Sequence, residues 1–220
     1  MGKYKVGKET KEKIYEASKA LFYENGYTST TCLKIAKESG ANVGLINYYY
    51  GSKGGLGIEV YNEIMSAIKS NVTENLKKLG IETTLLLQTA IEWRVLNNNM
   101  RFNKNFSRFY YDLLGENVLY KEQSIVTDFY RKLTESCDLH YNDFEIAFIS
   151  YASAGATQGI NLAYDAGLID CSSHDFINSS IDLLLNNMGL DAKLNDHVIK
   201  ESYKIEKMFT ARIEKNFIMV

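Results

Sequence analysis

The chain has 220 residues, of which 45% are hydrophobic, a net charge of −2 and no proline. This length suits one large domain, or a small domain joined to a larger one, and the absence of proline favours long helices in an all-α fold. The polar N-terminus and the lack of any run of 18 apolar residues argue against a leader and a membrane helix, so we expect a soluble, cytoplasmic protein. The three cysteines and three histidines are scattered, and we predict neither a metal site nor a cofactor.

The charge is unevenly distributed along the chain. Residues 1–53 hold nine lysines against five glutamates, a net charge of +4, which leaves −6 for the remainder. A basic N-terminal segment on an acidic body indicates that this segment meets a polyanion, although runs of charge are often simply solvated faces.

Three helices are predicted at the N-terminus, at residues 9–25, 32–39 and 43–49. Their apolar residues recur with helical spacing, and glycine follows each predicted end. Thr31 and Asn42 are suitable N-caps for the second and third helices. Two short helices joined by a three-residue turn have the outline of a helix-turn-helix unit, but many helical bundles also contain such pairs.

The outward side chains of the third helix favour DNA over solvent. At about 100° per residue from a buried Ile46, Val43, Tyr49 and Tyr50 fall on the core side, with Tyr49 at its edge. The opposite face carries Gly44 and Tyr48, flanked by Leu45 and Asn47, and has no charge. Asn can bind adenine edges or phosphate, Leu can contact a thymine methyl, and the Tyr48 and Tyr49 hydroxyls can donate to phosphates. Glycine permits close approach of the backbone to a duplex.

Ser52 and Lys53 begin a fourth helix. Ser52 is a good N-cap, which places Lys53 in the first turn, where the helix dipole disfavours a cation. A bound phosphate would remove this conflict, and a merely tolerated, exposed lysine is the alternative.

These residues resemble the DNA-binding domain of the TetR family of bacterial transcriptional regulators. The resemblance covers about residues 9–60. The matching positions are Leu21-Phe22, Gly26-Tyr27, Thr30-Thr31, Ile35-Ala36, Ser39-Gly40, Gly44, Ile46, Tyr48-Tyr49-Tyr50, Ser52-Lys53 and Leu56. The chain departs from the pattern at Asn47, at Tyr50 and at Lys34. Gly54, Gly55 and Gly57 also depart from it, and we expect them to soften the start of the fourth helix.

The resemblance implies a helix-turn-helix DNA-binding domain at residues 1–52 and a larger helical ligand-binding and dimerisation domain at 53–220, with about ten helices in all. The fourth helix would connect the two domains and move when ligand binds. The candidate DNA-binding residues are Thr31, Lys34, Asn42, Val43, Gly44, Leu45, Asn47, Tyr48, Tyr49 and Lys53.

Seven more helices are predicted in the larger domain, at residues 53–79, 81–97, 101–115, 117–136, 142–166, 175–188 and 195–217. By resemblance, helices 142–166 and 175–188 form the homodimer interface. Small residues at Ala152, Ser153, Gly155, Ala156 and Gly159 would permit close helix approach there, unless they pack within one subunit. The last helix carries an apolar stripe from Ile199 to Phe217 and needs a partner surface, but this stripe is no sign of a membrane role.

Aromatic residues are dense between residues 93 and 151. Most should be ordinary core, but a set of them can line a pocket for an apolar or aromatic effector. The candidate ligand-binding residues are Trp93, Phe106, Tyr110, Phe148, Tyr151 and Gln158, with Glu92, Arg94 and Asn161 as further polar candidates.

The function predicted from the sequence is that of a ligand-responsive repressor. As a homodimer it would bind a palindromic operator in double-stranded DNA and be released by a small-molecule effector. The alternative is a helical small-molecule binding protein or enzyme with a degenerate DNA-binding head, although no catalytic residues occur at suggestive spacing. An activator or a corepressor-dependent regulator would share the same residues.

Overall fold

The computed structural model describes residues 2–119 and 123–220, with side chains for residues 7–119 and 127–220. This described part is all-helical apart from one isolated bridge between Ile213 and Met219, which confirms the predicted fold class. Its ten α-helices are α1 (Gly2–Asn25), α2 (Cys32–Ser39), α3 (Gly44–Tyr50), α4 (Lys53–Leu79), α5 (Leu85–Phe102), α6 (Lys104–Gly115), α7 (Gln123–Glu135), α8 (Asp143–Asp165), α9 (Ser173–Asn187) and α10 (Ala192–Glu206).

The chain folds into two compact units, which we call the head unit and the body unit. The head unit comprises Met1–Lys69, Asn99–Glu122 and Arg212–Val220, and the body unit comprises Ser70–Asn98 and Gln123–Ala211. The head unit therefore contains α6 and the C-terminal nine residues as well as the first helices. The functional boundary between residues 52 and 53 stays a prediction.

The largest error in the sequence prediction concerns the C-terminus. A helix was predicted at 195–217, but α10 ends at Glu206 and Arg212–Val220 form a hairpin. Ile213 and Phe217 are buried in this hairpin, four residues apart, and this spacing imitates a helical apolar stripe. For the predicted helix 117–136, the structure describes Gln123–Glu135, and residues 120–122 lie outside the described part.

The core of the body unit is built from α5 and α7–α10. Its fully buried side chains include Leu133, Ile146, Ile181 and Met188. The α8 helix begins with a capping box, in which the Asn142 side chain accepts from the Glu145 N–H at 3.0 Å and the Glu145 carboxylate accepts from the Asn142 N–H at 2.8 Å. Among the described residues, no helix is long and apolar enough to span a bilayer.

The glycines at the start of α4 are packing residues. A Cβ on Gly55 would lie 2.1 Å from the Tyr50 carbonyl oxygen, and one on Gly57 would lie 2.8 Å from the Tyr27 ring. Ser52 caps the helix as predicted, because its hydroxyl accepts from the Gly55 N–H at 3.0 Å. At Gly55 and Gly57 the absence of a side chain therefore permits close contact, and the soft joint at the start of α4 stays a prediction.

We expect Gly55→Ala to lower the free energy of unfolding by about 1–3 kcal/mol, because the added methyl group overlaps a backbone oxygen that cannot rotate away. Gly115→Ala is the control, since a Cβ at Gly115 meets no atom within 4 Å. That variant should stay within about 0.5 kcal/mol of the parent protein. Urea unfolding followed by circular dichroism measures both, and equal stability of the two variants would contradict the packing role.

Candidate nucleic-acid interface

The α2 and α3 helices are fixed at their ends by local hydrogen bonds. The Thr31 hydroxyl accepts from the Lys34 N–H at 3.2 Å at the start of α2, and Gly40 ends that helix with a φ of 67°. Asn42 was predicted as the N-cap of α3, but that position is held by Val43; Asn42 lies one residue earlier, and its side-chain oxygen accepts from the Gly44 N–H at 2.9 Å. Ile35 and Ile46 are fully buried, so each helix presents one defined face to solvent.

The exposed face of α3 matches the face predicted for DNA. Gly44 and Asn47 are exposed, Leu45 is partly exposed, and 78% of the Tyr48 side chain is accessible. These four residues form an uncharged surface, with one amide and one phenol able to donate and accept hydrogen bonds. Such a surface can read base edges but contributes little electrostatic attraction of its own.

One residue of this region differs from its predicted position. Val43 was expected on the core side but is 40% exposed, because it immediately precedes α3 and projects away from the buried face. Tyr49 is only partly buried, and its ring packs edge-on against Tyr48 with a centroid distance of 5.0 Å. Tyr50 is buried as expected, and its hydroxyl donates to the Lys11 carbonyl oxygen at 2.8 Å.

The two candidate lysines have protein partners. The Lys53 ammonium group donates to the Tyr27 carbonyl oxygen at 3.2 Å, lies 3.9 Å from the centroid of the Tyr27 ring, and is 3.9 Å from a Glu116 carboxylate oxygen. These contacts balance the cation at the start of α4, so a phosphate is not needed to explain it. Lys34 donates to the Ser29 carbonyl oxygen at 2.9 Å and is exposed. DNA contacts by both residues remain predictions.

A polar cluster joins α1 to α4 within the head unit. The Lys19 ammonium group donates to Glu63 at 2.5 Å, and the Tyr15 hydroxyl donates to the other carboxylate oxygen. Burial alone would raise the pKa of Glu63, but the hydrogen bonds from Lys19 and Tyr15 outweigh it and hold that pKa below its usual value. Burial, together with the Glu63 carboxylate, raises the pKa of Tyr15. Both groups therefore keep the protonation states that the cluster needs at neutral pH.

The α6 helix holds the loop between α1 and α2. Arg108 donates to the Tyr23 and Glu24 carbonyl oxygens at 3.1 and 2.8 Å, which satisfies carbonyls at the C-terminal end of α1. Asp112 accepts from the Thr28 N–H at 2.9 Å, and Glu116 accepts from the Thr28 hydroxyl at 2.8 Å. This loop leads directly into α2, so α6 helps to position the helix-turn-helix unit.

The sequence prediction missed these three charged residues. Arg108 and Asp112 lie one turn apart on one face of α6, and Glu116, four residues further along, directly follows the end of this helix. A charged stripe of this kind usually indicates a solvated face. The four-residue spacing indicated that these three side chains share one surface, but nothing in the sequence identifies the segment that this surface contacts.

The candidate ligand-binding residues are divided between the two units. Phe106 and Tyr110 are buried in the head unit, where their rings lie 6.5 Å apart. Trp93, Phe148, Tyr151 and Gln158 belong to the body unit. Of these, Phe148 is 65% exposed and Tyr151 is 47% exposed on α8, which argues against an enclosed pocket role for both. Gln158 is partly buried.

Trp93 has an unsatisfied buried hydrogen-bond donor, as expected of a residue that contacts a ligand. It packs against the body core, and its Nε1 is buried with no protein acceptor. One turn along α5, Asn97 is 1% exposed; its amide nitrogen donates to the Trp93 carbonyl oxygen at 2.9 Å, but its Oδ1 has no donor. Buried polar atoms without partners are uncommon and costly, so these two atoms are suited to a bound polar group.

Arg94, a further polar candidate, ties three helices of the body unit together. It is 2% exposed, and it donates to Ser202 at 2.8 Å and to Asn178 and the Ile199 carbonyl oxygen at 2.7 Å each. Burial lowers its pKa to about 10, against an opposing effect of Glu206 and Tyr203, so the guanidinium stays charged at neutral pH. These partners give it a structural role between α5, α9 and α10.

Comparison with known proteins identifies the head. Residues 14–60 match the family model for bacterial regulatory proteins of the tetR family. The helix-turn-helix segment is therefore of the TetR type. It is 30% identical over 104 residues to the probable HTH-type transcriptional regulator YttP of Bacillus subtilis, covering 46% of this chain and 49% of that protein. It is 26% identical over 148 residues to an HTH-type transcriptional regulator of Staphylococcus aureus (strain USA300), covering 64% of this chain and 76% of that protein.

A solved TetR structure shows that the similarity of fold extends further than the family model. Full-length TylP, a TetR regulator from Streptomyces fradiae, superposes with a TM-score of 0.50 at 20% identity, covering 92% of this chain and 94% of that chain. At this identity the match concerns the fold alone. Since the chain spans about half the length of YttP, its activity and its partners are a matter for proposal.

We expect Asn47→Ala to weaken sequence-specific DNA binding about tenfold, because a lost bidentate base contact costs about 1–3 kcal/mol. Binding to random DNA should change little, since the substitution removes no charge. Asn25→Ala, at an exposed position that ends α1, is the matched control. Fluorescence anisotropy with a DNA site selected from a random pool by the parent protein measures both. Equal affinities of the two variants for that site would exclude Asn47 from recognition.

Proposed function

We propose that this chain is a ligand-responsive transcriptional regulator that binds a palindromic operator as a homodimer and acts as a repressor. The observation that carries the proposal is the exposed, uncharged face of α3 on a head whose caps and core are intact. An intact head also argues against the alternative of a binding protein or enzyme that has lost DNA recognition.

The supporting observation for a homodimer lies on α8. An exposed row of apolar and small residues follows this helix for about 27 Å. Its members are Phe144, Phe148, Tyr151, Ala152, Gly155, Gly159 and Leu162. Added Cβ atoms at Gly155 and Gly159 would meet nothing within 4 Å, so these glycines do not serve packing within one subunit. A continuous apolar row of this length needs a cover, and a second copy supplies an identical one.

The outward face of α9 has a different composition. Its exposed residues include Ser173, Asp175, Ser179 and Asn186, which are small and polar. We infer that α8 supplies the apolar centre of the dimer contact and α9 a polar rim, as in other protein interfaces. Ser153, one of the predicted interface residues, is instead buried and accepts from Asn187 at 3.2 Å, which holds α8 against α9.

The support for an effector comes from α5. The unpartnered Trp93 Nε1 and Asn97 Oδ1 favour an apolar or aromatic ligand that presents one acceptor and one donor about a helical turn apart. The same helix continues from these residues to Asn99, Asn103 follows it directly, and both of these belong to the head unit. Ligand and DNA would then each weaken the binding of the other by the same factor.

Selection of DNA from a random pool tests the proposed function. We expect the parent protein, at about 150 mM salt, to select an inverted repeat and to run as a dimer in light scattering. Phe148→Glu should give a monomer that binds the repeat at least tenfold more weakly, because it places a charge within the apolar row. Phe102→Glu, at a phenylalanine that is 82% exposed and off α8, should bind as the parent does. A dimer unaffected by Phe148→Glu, or selected sites without symmetry, would contradict the proposal.

Trp93 reports on the effector site directly, because it is the only tryptophan in the chain. We expect a neutral aromatic amide that displaces the selected DNA to change the Trp93 emission in the same concentration range. Asn97→Ala should weaken that binding about fivefold to tenfold through loss of one buried hydrogen bond. Asn75→Ala, whose amide bonds only to Asn71 in its own helix, is the control. A compound that releases DNA without any change in the emission of Trp93 would place the effector elsewhere.

A further inference from the structure

The C-terminal hairpin is an element that neither the sequence pattern nor the family model includes. Its strands are joined by reciprocal hydrogen bonds between Arg212 and Val220, each 2.8 Å, and by a bond from the Glu214 N–H to the Ile218 carbonyl oxygen at 2.7 Å. The family model ends at residue 60, so it says nothing of this segment.

The hairpin places one aromatic ring between α1 and α6. Phe217 is 2% exposed, and its ring centroid lies 4.8 Å from that of Phe109, 5.1 Å from that of Tyr23 and 6.4 Å from that of Phe106. The Tyr23 contact is edge-on, which is a favourable geometry for aromatic pairs. One side chain from the end of the chain thus contacts both helices that hold the loop before α2.

Polar contacts attach the hairpin at further points of the head unit. The Asn99 side chain accepts from the Ile213 N–H at 2.6 Å, and the Asn103 amide donates to the Ile213 carbonyl oxygen at 2.7 Å. Asn103 is also the N-cap of α6, where its Oδ1 accepts from two backbone N–H groups. Lys215 lies 3.9 Å from the carboxylate of Glu24 near the end of α1. The hairpin therefore meets α1, α6 and the C-terminal end of α5.

The backbone conformation at the turn of the hairpin indicates that the surrounding residues fix the position of the Phe217 ring. Asn216 and Phe217 have φ angles of 55° and 60°. Asparagine tolerates this left-handed region, but a bulky residue such as phenylalanine rarely adopts it. Strained backbone of this kind persists only where the surroundings determine it, and here the surroundings are the aromatic rings of Tyr23, Phe106 and Phe109.

We propose that the hairpin Arg212–Val220 positions the helix-turn-helix unit formed by α2 and α3, with Phe217 as its main positioning residue. Tyr23 and Glu24 lie in the last turn of α1, immediately before the loop that leads into α2. Fixing this turn fixes the direction in which α2 and α3 leave it. A helix-turn-helix unit that is already held in its binding geometry loses less entropy when it binds DNA. The inference rests on the proposed DNA-binding function.

Phe217→Ala and Phe217→Gly test the proposal. The glycine variant removes the ring and relieves the backbone strain, so the hairpin can still form. Both variants should bind the selected DNA roughly tenfold more weakly than the parent protein does. Their affinity for random DNA should equal that of the parent, because the phosphate contacts do not depend on a fixed direction of α2 and α3. Phe217→Leu, which fills part of the space left by the ring, should restore most of the lost affinity for the selected DNA. Phe102→Ala, which removes an exposed ring, is the control.

Hydrogen exchange provides a readout that does not involve DNA. Without the ring, amides of residues 28–50 should exchange faster at a temperature where all variants are folded, whereas those of α8 and α9 should not change. If exchange in residues 28–50 is the same in Phe217→Gly and Phe102→Ala, the positioning role is overturned. If exchange rises but the parent protein itself selects no DNA sequence, the proposed function fails and the positioning of the helix-turn-helix unit stands. Equal loss of selected and random DNA binding would also overturn the positioning role.

Discussion

The docking of α6 on the end of α1 is the contact on which the geometry of the head depends. The last carbonyls of a helix lack partners and carry partial negative charge, and the Arg108 guanidinium supplies both hydrogen bonds and the opposite charge. Asp112 then receives the Thr28 N–H. Gly26 lies against both Arg108 and Asp112, and only glycine fits at this position. Its φ is 83°, and a Cβ there would lie 2.7 Å from the Asp112 carboxylate. The residue type at Gly26, its backbone conformation and the charges of Arg108 and Asp112 all favour the same docking of α6 on the end of α1.

The rest of the head follows from that turn. It sets the start of α2, while the buried Ile35 and Ile46 set the faces that α2 and α3 expose. Lys19 and Glu63 join α1 to α4, and Gly55 brings the start of α4 against the Tyr50 carbonyl oxygen. The exposed face of α3 is thus held by contacts that involve no DNA. A rigid presentation of this kind favours specific recognition, because little conformational entropy remains to be lost on binding.

Local signals in the sequence predicted much of this head. The caps Thr31 and Ser52 were found because a capping side chain acts within three residues, and α4 has the bounds that its apolar period indicates. The hairpin was missed because Ile213 and Phe217 have helical spacing although they contact the distant α1, α5 and α6. The small residues of α8 were predicted from the sequence as part of an interface. Only the structure shows that Phe144 and Phe148 are exposed on the same row. Long-range partners of this kind leave no mark in a single sequence.

Hydrogen exchange of the Thr28 backbone amide, followed by NMR, tests the docking of α6 most directly. Its N–H donates to a carboxylate that lies 84 residues further along the chain. We expect this amide to exchange at least roughly tenfold more slowly than in an unstructured peptide, and Asp112→Ala to remove that protection while α8 and α9 keep theirs. A Thr28 amide that exchanges at the rate of an unstructured peptide in the parent protein would show that α6 does not hold the head.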